Sequence, residues 1–390
     1  MNLRDYGLAS DRRTVLEKEL KLTLPNIGSF TLDEKIASSR NCENMIGVAQ
    51  VPIGIAGPLK VQSSIHSASS GQAFKVQSYY LPLATTEGAL VASVNRGCKA
   101  ITESGGAVSY AYRVGQTRGP VFSVKNLEEQ KKVYDWIKKN EAKLGKVAES
   151  NSQHLKLLRI KVRGLSNYLF VRFYFNTEDA MGMNMVTIAT QKASELIEKE
   201  TGARLISVAG NFDIDKKPSW LNFINNRGFK VWSEVVLTKK VLKDVLKTNA
   251  DKFFEVWLSK CMIGSAMSGS LGFNAQYANI IAALFIATGQ DPAHVAEASM
   301  GITTAKVLPN GNLSVSIYLP DLSIGTVGGG TGLATQQEAL SILGVAGAGN
   351  VEKFAEIVGA AVLAGEISLI SSLSEGSLAI AHEKLGRGLR

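Results

Sequence analysis

Apolar residues along the chain follow two rhythms, and the change from one to the other marks its elements. Leu90, Val91, Val94, Cys98 and Ile101 recur at helical spacing after the polar stretch Thr85-Thr-Glu-Gly88. That start places Glu87 in the first helical turn, where a carboxylate on its own is most often a partner for the helix dipole. Leu158, Ile160 and Val162 alternate instead with Arg159, Lys161 and Arg163, the pattern of a strand buried on one face. Residues 164–167 turn this strand and residues 168–175 return. Around the hairpin lie a short strand over 121–124 and a helix over 127–144 with Val133, Trp136 and Ile137 on one side. A helix over 185–199 and a strand over 204–208 follow. The order β-α-β-β-α-β predicts a ferredoxin-like unit over residues 120–208. It is inserted into a larger domain made of residues 46–119 and 209–390.

The flanking segments read more simply. Residues 1–45 are polar and helical; Asp11 is placed to cap a helix through Val15, Leu16 and Leu20, and Thr31-Leu-Asp-Glu34 resembles a second start. The stretch from Glu43 to Val61 is rich in glycine and proline, an apolar loop that needs a surface to lie on, such as another subunit. Residues 304–308 and 313–319, joined by Pro309-Asn-Gly-Asn312, form a hairpin. The predicted class is α+β, a large mixed helical and sheet domain carrying a small inserted one.

Composition narrows this picture only slightly. The 390 residues are 45% hydrophobic and 20% charged, ordinary for a globular protein and enough for more than one domain. Cys42, Cys98 and Cys261 have no metal-type spacing, which fits free thiols in a reducing cytoplasm. Arg4, Asp5 and Arg12 interrupt any signal-like start, and the longest apolar stretch, 278–287, is about half of a membrane span. No membrane association is expected. A net charge of +9 favours anionic partners. No basic-aromatic module for nucleic acid is present; nucleotide cofactors and phosphorylated thioesters are the other candidates, and charge alone does not choose among them.

Chemistry concentrates in three loops. Lys216 and Lys217 follow Asp215 and are stopped by Pro218, so they sit in a loop. Two fixed cations suit a developing oxyanion or a carboxylate, although a lone pair of lysines is more often a solvated turn. Asp179-Ala-Met-Gly-Met-Asn184 opens a helix with small residues, which exposes backbone N–H groups to an anion. Gly325-Thr-Val-Gly-Gly-Gly-Thr-Gly332 lets a ligand approach the backbone closely. Neither has Rossmann or P-loop spacing. Four histidines occur, His66, His154, His294 and His382, and their spacing suggests no metal cluster. His382 ends an alanine-rich helical run.

Together these motifs resemble one family, hydroxymethylglutaryl-CoA (HMG-CoA) reductase. ENMIG at 43–47, TTEGALVASVNRGCKAI, TRGP, DAMGMN, DKKP, GSAM, GQDPA and GTVGGGT occur in the family's order, and with His382 they cover nearly the whole chain. The pattern is similar to the class I form of eukaryotes and archaea, without the membrane anchor of eukaryotic members. The resemblance implies reduction of HMG-CoA to mevalonate and CoA by two successive hydride transfers from NADPH, a step toward isoprenoids. It implies Glu87, Lys216, Asp291 and His382 as catalytic residues. Arg118, Asp215, Lys217, Lys260 and Asn279 match substrate positions, and Ser93, Asn95 and Arg96 match positions holding substrate or CoA. Ser152, Asp179, Met181, Gly182, Met183, Asn184, Gly328, Gly329 and Arg387 match the cofactor side, and no metal is implied. It also implies a homodimer or homotetramer with active sites between subunits. The tail bearing His382 is expected to close on bound substrates.

These residue types suit the implied reaction. Lys216 would stabilise the alkoxide formed on hydride attack, a contact of about 3 kcal/mol. An imidazolium at His382 would protonate the departing CoA thiolate. Glu87 would protonate the aldehyde oxygen if Asp291 keeps it protonated, with Lys216 pulling the other way. Arg118 and Lys217 would clamp the substrate carboxylate. A non-catalytic acyl-CoA-binding relative is the competing reading, and the four intact catalytic positions argue against it. Departures from the family pattern are Ala209 for serine, a single Gly272 before Phe273, and Gln276 where histidine is common. Neutral Gln153 stands where NADPH users carry arginine, and Glu178 where glycine is usual. His154, Lys156 or Arg387 would have to compensate, so NADH stays open beside NADPH.

Overall fold

The computed structural model describes residues 6–21, 23–25, 27–63, 75–150 and 152–376; His66, His382 and Arg387 lie outside the described residues. In chain order, helices α1 (Ala9–Leu20) and α2 (Glu34–Arg40) precede strands β1 (Ile53–Ser63) and β2 (Lys75–Ala84). Helix α3 (Leu90–Glu103) leads to β3 (Ala107–Arg118) and β4 (Val121–Ser123). Next come α4 (Leu127–Lys139), α5 (Glu141–Glu149), β5 (Lys156–Leu165), β6 (Tyr168–Asn176), α6 (Met183–Thr201) and β7 (Arg204–Ser207). After α7 (Trp220–Asn225) and β8 (Arg227–Leu237) lie α8 (Lys239–Asp244), α9 (Ala250–Val256), a π-helical segment Trp257–Gly264 and α10 (Ser265–Ser268). The remainder is β9 (Gly272–Phe273), α11 (Tyr277–Thr288), α12 (Val295–Ala298), β10 (Gly301–Val307), β11 (Leu313–Leu322), α13 (Ala334–Ile342) and α14 (Val351–Glu375).

Helix α14 carries apolar or small residues on nearly every face, so it can be satisfied only by burial. It is long and apolar enough to cross a membrane by length and composition, yet 83% of its most apolar window is buried inside the protein. The expectation that residues 278–287 are the longest apolar stretch is therefore corrected. Glu356 and Glu366 interrupt the longer run in sequence, and both are buried in the fold. Around α14 gather Val94 of α3, Val231 of β8, Ile280 of α11 and Leu319 of β11. Helix α3 crosses it at Gly97, where an added Cβ would lie 1.9 Å from the Ala364 carbonyl oxygen.

A second core contains Phe122, Val133, Ile137, Ile160, Val171, Phe173, Val186 and Ile197. Here the strand order is β7-β4-β6-β5 with every neighbouring pair antiparallel, and α4, α5 and α6 bury their apolar stripes against it. The two parts share β3. Its residues 108–115 pair with β8 and its residues 116–118 with β6, with a bulge between Arg113 and Gly115. That strand was not anticipated from the sequence.

Four local expectations change. The helix expected over 127–144 is two, broken at Asn140, whose side-chain amide donates to the Trp136 carbonyl. Glu87 precedes α3 rather than occupying its first turn, because Ala89 turns the chain through a left-handed conformation. Asp11 lies inside the first turn of α1 instead of capping it. Asp33, not Thr31, caps α2, accepting from the Ile36 N–H.

Gly97→Ala should separate α3 from α14, since a backbone oxygen cannot yield as a side-chain tip does. A loss of about 3 kcal/mol is expected in urea unfolding. Parent-like stability would mean that the two helices do not touch there.

Candidate active site

The loop between β7 and α7 presents Lys216 through a backbone turn of left-handed φ, 58°. Its N–H donates to Glu297 Oε1 at 3.3 Å, and its Nζ lies 2.6 Å from Asp291 Oδ2. Asp291 caps the 3-10 turn Pro292–His294, its Oδ1 accepting from the Ala293 N–H at 3.0 Å. Burial alone would raise the Asp291 pKa. Hydrogen bonds from Lys216 and Ala293 and the nearby His294 outweigh it, holding the carboxyl below its ordinary range. The lysine is thus fixed at both ends, as an oxyanion partner must be.

Beneath this pair lies a buried charge cluster. Arg227, without exposed surface, donates to Asp215 Oδ1 at 2.7 Å, Glu297 Oε1 at 2.9 Å and Thr117 Oγ1 at 3.0 Å. Burial disfavours its charge, but Asp321, Asp215, Glu297 and Asp213 more than compensate and raise its pKa. Asp321 is pushed up to about 7 by burial, although Arg227 opposes that rise. Arg118 bonds Asp213 at 3.0 Å and approaches Asp215 at 3.7 Å. Lys217 is exposed, its Nζ 3.4 Å from the Asp215 carbonyl. Asp215 therefore faces two arginines.

Glu87 and Asn279 form a second group. Glu87 Oε1 accepts from Asn279 Nδ2 at 3.4 Å, and its N–H is held by Thr85 Oγ1 at 2.9 Å. Asn279 sits in the first turn of α11, and that end of the helix is braced from the core. Glu366 accepts from the Ala275 N–H at 2.8 Å, the Gln276 N–H at 2.6 Å and the Thr303 hydroxyl at 2.6 Å. A cleft of about 910 Å³ runs between Lys260, Gln276, Asn279 and Pro218. The α3 residues turn toward its neighbours. Arg96 donates to the Ser368 carbonyl at 2.7 Å and meets Glu375 at 3.3 Å, Ser93 donates to the Ser368 hydroxyl at 3.0 Å, and Asn95 accepts from the Gly57 N–H at 2.9 Å.

The two glycine-bearing loops meet. Asp179 Oδ1 accepts from the N–H groups of Asn350 and Val351, both at 3.1 Å, and its carbonyl accepts from Thr326 at 2.8 Å. Ala180 pairs with Val327. A Cβ on Gly325 would stand 2.5 Å from the Met181 nitrogen, so only glycine lets the loops close. Gly182 opens α6 with no side chain capping it, and Gly328 and Gly329 have open space where a Cβ would stand. The uncapped N-terminus of α6 lies at this junction. Asn184 follows in the first turn of α6. Met183 points inward, its sulfur 3.2 Å from Arg227. Ser152 donates to the Met185 sulfur at 3.6 Å. His154 is engaged by Glu178 at 2.6 Å, so it is not a free cation for a ribose phosphate.

Sequence reasoning missed Asp213, Arg227, His294 and Glu297 as parts of this site; their one signal, polar residues amid apolar neighbours, is weak. It also saw no metal cluster, whereas Asp215, His294 and Glu297 offer ligand atoms within 4.8 Å of one another. The Arg227 guanidinium lies on both of those carboxylates and fills the cation position there.

Residues 9–387 match the family described as hydroxymethylglutaryl-coenzyme A reductase. The 3-hydroxy-3-methylglutaryl-coenzyme A reductase of Methanothermobacter thermautotrophicus is 47% identical over 378 residues, covering 97% of this chain and 93% of that protein. Its namesake from Methanocaldococcus jannaschii is 49% identical over 382 residues, covering 96% and 92%. The structure of the class II enzyme from Streptococcus pneumoniae, bound to NADPH in open conformations, shares the fold. It superposes with a TM-score of 0.69 at 17% identity, covering 95% of this chain and 98% of that one.

Removing the buried cation should be severe. Arg227→Met strands several carboxylates, and a loss of about 3–5 kcal/mol is expected in chemical unfolding. Asp321 adds a pH test. Its pKa is raised from 3.8 to about 7 on folding, so the folded chain holds a proton that the unfolded chain releases. This contribution is present at acid pH and lost as pH rises toward 7. Asp321→Asn should therefore gain on the parent in unfolding assays at pH 7.5 relative to pH 5; an equal difference at both would refute the assignment.

Proposed function

This chain belongs to the hydroxymethylglutaryl-coenzyme A reductase family, and we propose that it reduces HMG-CoA to mevalonate and free CoA. The observation that carries this reading is the Lys216 ammonium, held 2.6 Å from Asp291 on a loop fixed by its own backbone. When bound, each nicotinamide dinucleotide supplies one hydride, so two dinucleotides are used in succession. Lys216 stabilises the oxygen that becomes negative as the thioester carbonyl is reduced, and Asp291 keeps that ammonium aimed. Collapse of the adduct breaks the carbon–sulfur bond, and His382 protonates the thiolate. Glu87, steadied by Asn279, gives its proton to the aldehyde oxygen in the second reduction. Arg118, Asp215, Lys217 and Lys260 bind the hydroxymethylglutaryl group, and Ser93, Asn95 and Arg96 lie on the CoA side.

The unit over residues 120–208, with its ferredoxin-like strand order, is the dinucleotide-binding domain; residues 46–119 and 209–390 form the substrate domain, and residues 1–45 a helical N-terminal segment. Asp179, Met181, Gly182, Met183, Asn184, Gly328, Gly329 and Ser152 make up the cofactor side, Met183 through its backbone because its sulfur faces Arg227. NADPH is the donor in this reading, with NADH as the alternative because Gln153 is neutral; His154 already meets Glu178, so Lys156 or Arg387 would have to meet a ribose phosphate. The enzyme is cytoplasmic, without a metal, and works as a homodimer or homotetramer whose sites lie between subunits.

Lys216→Met should lower kcat about 100- to 1,000-fold with thioester binding retained, measured as mevalonate formed with each dinucleotide. Unimpaired turnover in that variant would overturn the role of the lysine. Tight CoA-thioester binding by a parent that makes no mevalonate would favour a non-catalytic relative. Sedimentation at assay concentration should find a dimer or larger, and an active monomer would contradict the shared site.

A further inference from the structure

His294 is fully buried, and no step above uses it. It ends the 3-10 turn that Asp291 caps, so its ring returns beneath that carboxylate. Its Nδ1 meets Glu297 Oε1 at 2.5 Å. Its Nε2 has no hydrogen-bond partner, a costly state for a buried nitrogen. The groups facing that nitrogen are acidic: Asp291 Oδ2 at 3.8 Å from its own turn and Asp215 Oδ1 at 3.9 Å from the lysine loop. The two bases beyond them are already committed, Arg227 to Asp215 and Glu297, Lys216 to Asp291. A purely structural residue here would be satisfied by the Glu297 bond alone. The second nitrogen faces the two carboxylates, Asp291 being the nearer.

We propose that His294 is a positioning residue for the reduction, a buried ring that joins Glu297 to Asp291 and holds the Asp291 carboxylate in line with Lys216 Nζ. The proposal rests on the reductase reading above. It adds a residue behind the substrate-facing groups, in the line Glu297–His294–Asp291–Lys216. Because His294 never touches substrate, its effect must pass through Asp291, and that separates it from a residue that merely packs.

The test is a double-mutant cycle of His294→Gln with Asp291→Asn, read by steady-state kinetics on the full chain. His294→Gln alone should lower kcat at least tenfold while KM for HMG-CoA and for the dinucleotide stays within about twofold. In the Asp291→Asn background the same change should cost little, since the group it acts through is already neutral. Equal losses in both backgrounds would show a structural role and overturn the proposal, as would parent-like kcat in the single variant. If His294→Gln does not fold, His294→Asn, which keeps a donor within reach of Glu297, goes through the same cycle and the same two outcomes decide. A parent that makes no mevalonate with either dinucleotide would sink the reductase reading and this inference with it; a working parent with an additive cycle would sink this inference alone.

Discussion

One buried guanidinium sets the geometry on which the site depends. Arg227 enters at the start of β8, with Thr117 at the end of β3 on one side and Asp215 and Glu297 on the other. Three segments distant in sequence must therefore converge for its charge to be satisfied. Such a cluster contributes little net stability, because desolvation consumes most of the Coulombic gain. Its contribution is to geometry: an arrangement that leaves Arg227 or any of the acids unpaired is heavily penalised. The Asp215 loop is pinned by it, and the next residue along that loop is Lys216.

A different constraint places the opposite wall of the cleft. Helix α14 must be covered on nearly all sides, and the contact at Gly97 lets α3 approach within backbone distance. With the helix so fixed, Glu366 projects from its middle and holds the N–H groups at the start of α11. That bracing does the work of an N-cap that Gln276 does not supply. Asn279, in the first turn of α11, then steadies Glu87. The core helix thus reaches the site through one buried carboxylate and one amide.

Periodicity made much of this legible. The stripe of α3, the two hairpins and the succession of elements from β4 to β7 repeat short-range patterns that a local reading detects. The lysine loop was legible through Pro218, and the glycine loops through their lack of Cβ atoms. Burial that depends on distant partners was not legible. Strand β3 alternates poorly because its last three residues pair with β6 while the rest pairs with β8, and Gly115 shifts its register. Arg227, His294 and Glu297 look like surface residues until the fold closes over them. Helix α14 was hidden by two glutamates whose partners lie far away in sequence. Asn140 ends one helix and begins another without the glycine or proline that would mark the break.

Lys216 and Asp291 stand on one side of the lysine loop, braced by the Arg227 cluster; Glu87 and Asn279 stand on the α3 and α11 side, braced by Glu366. Each pair is internally satisfied, the first through a charged hydrogen bond of 2.6 Å and the second through a longer amide contact of 3.4 Å. The shorter bond fixes the direction of the Lys216 side chain, as the proposed oxyanion contact requires. The longer one leaves the Glu87 carboxyl weakly held and exposed, which suits a group that must exchange a proton. The two acids are thus braced by separate elements, Asp291 by its own 3-10 turn and Glu87 by α11.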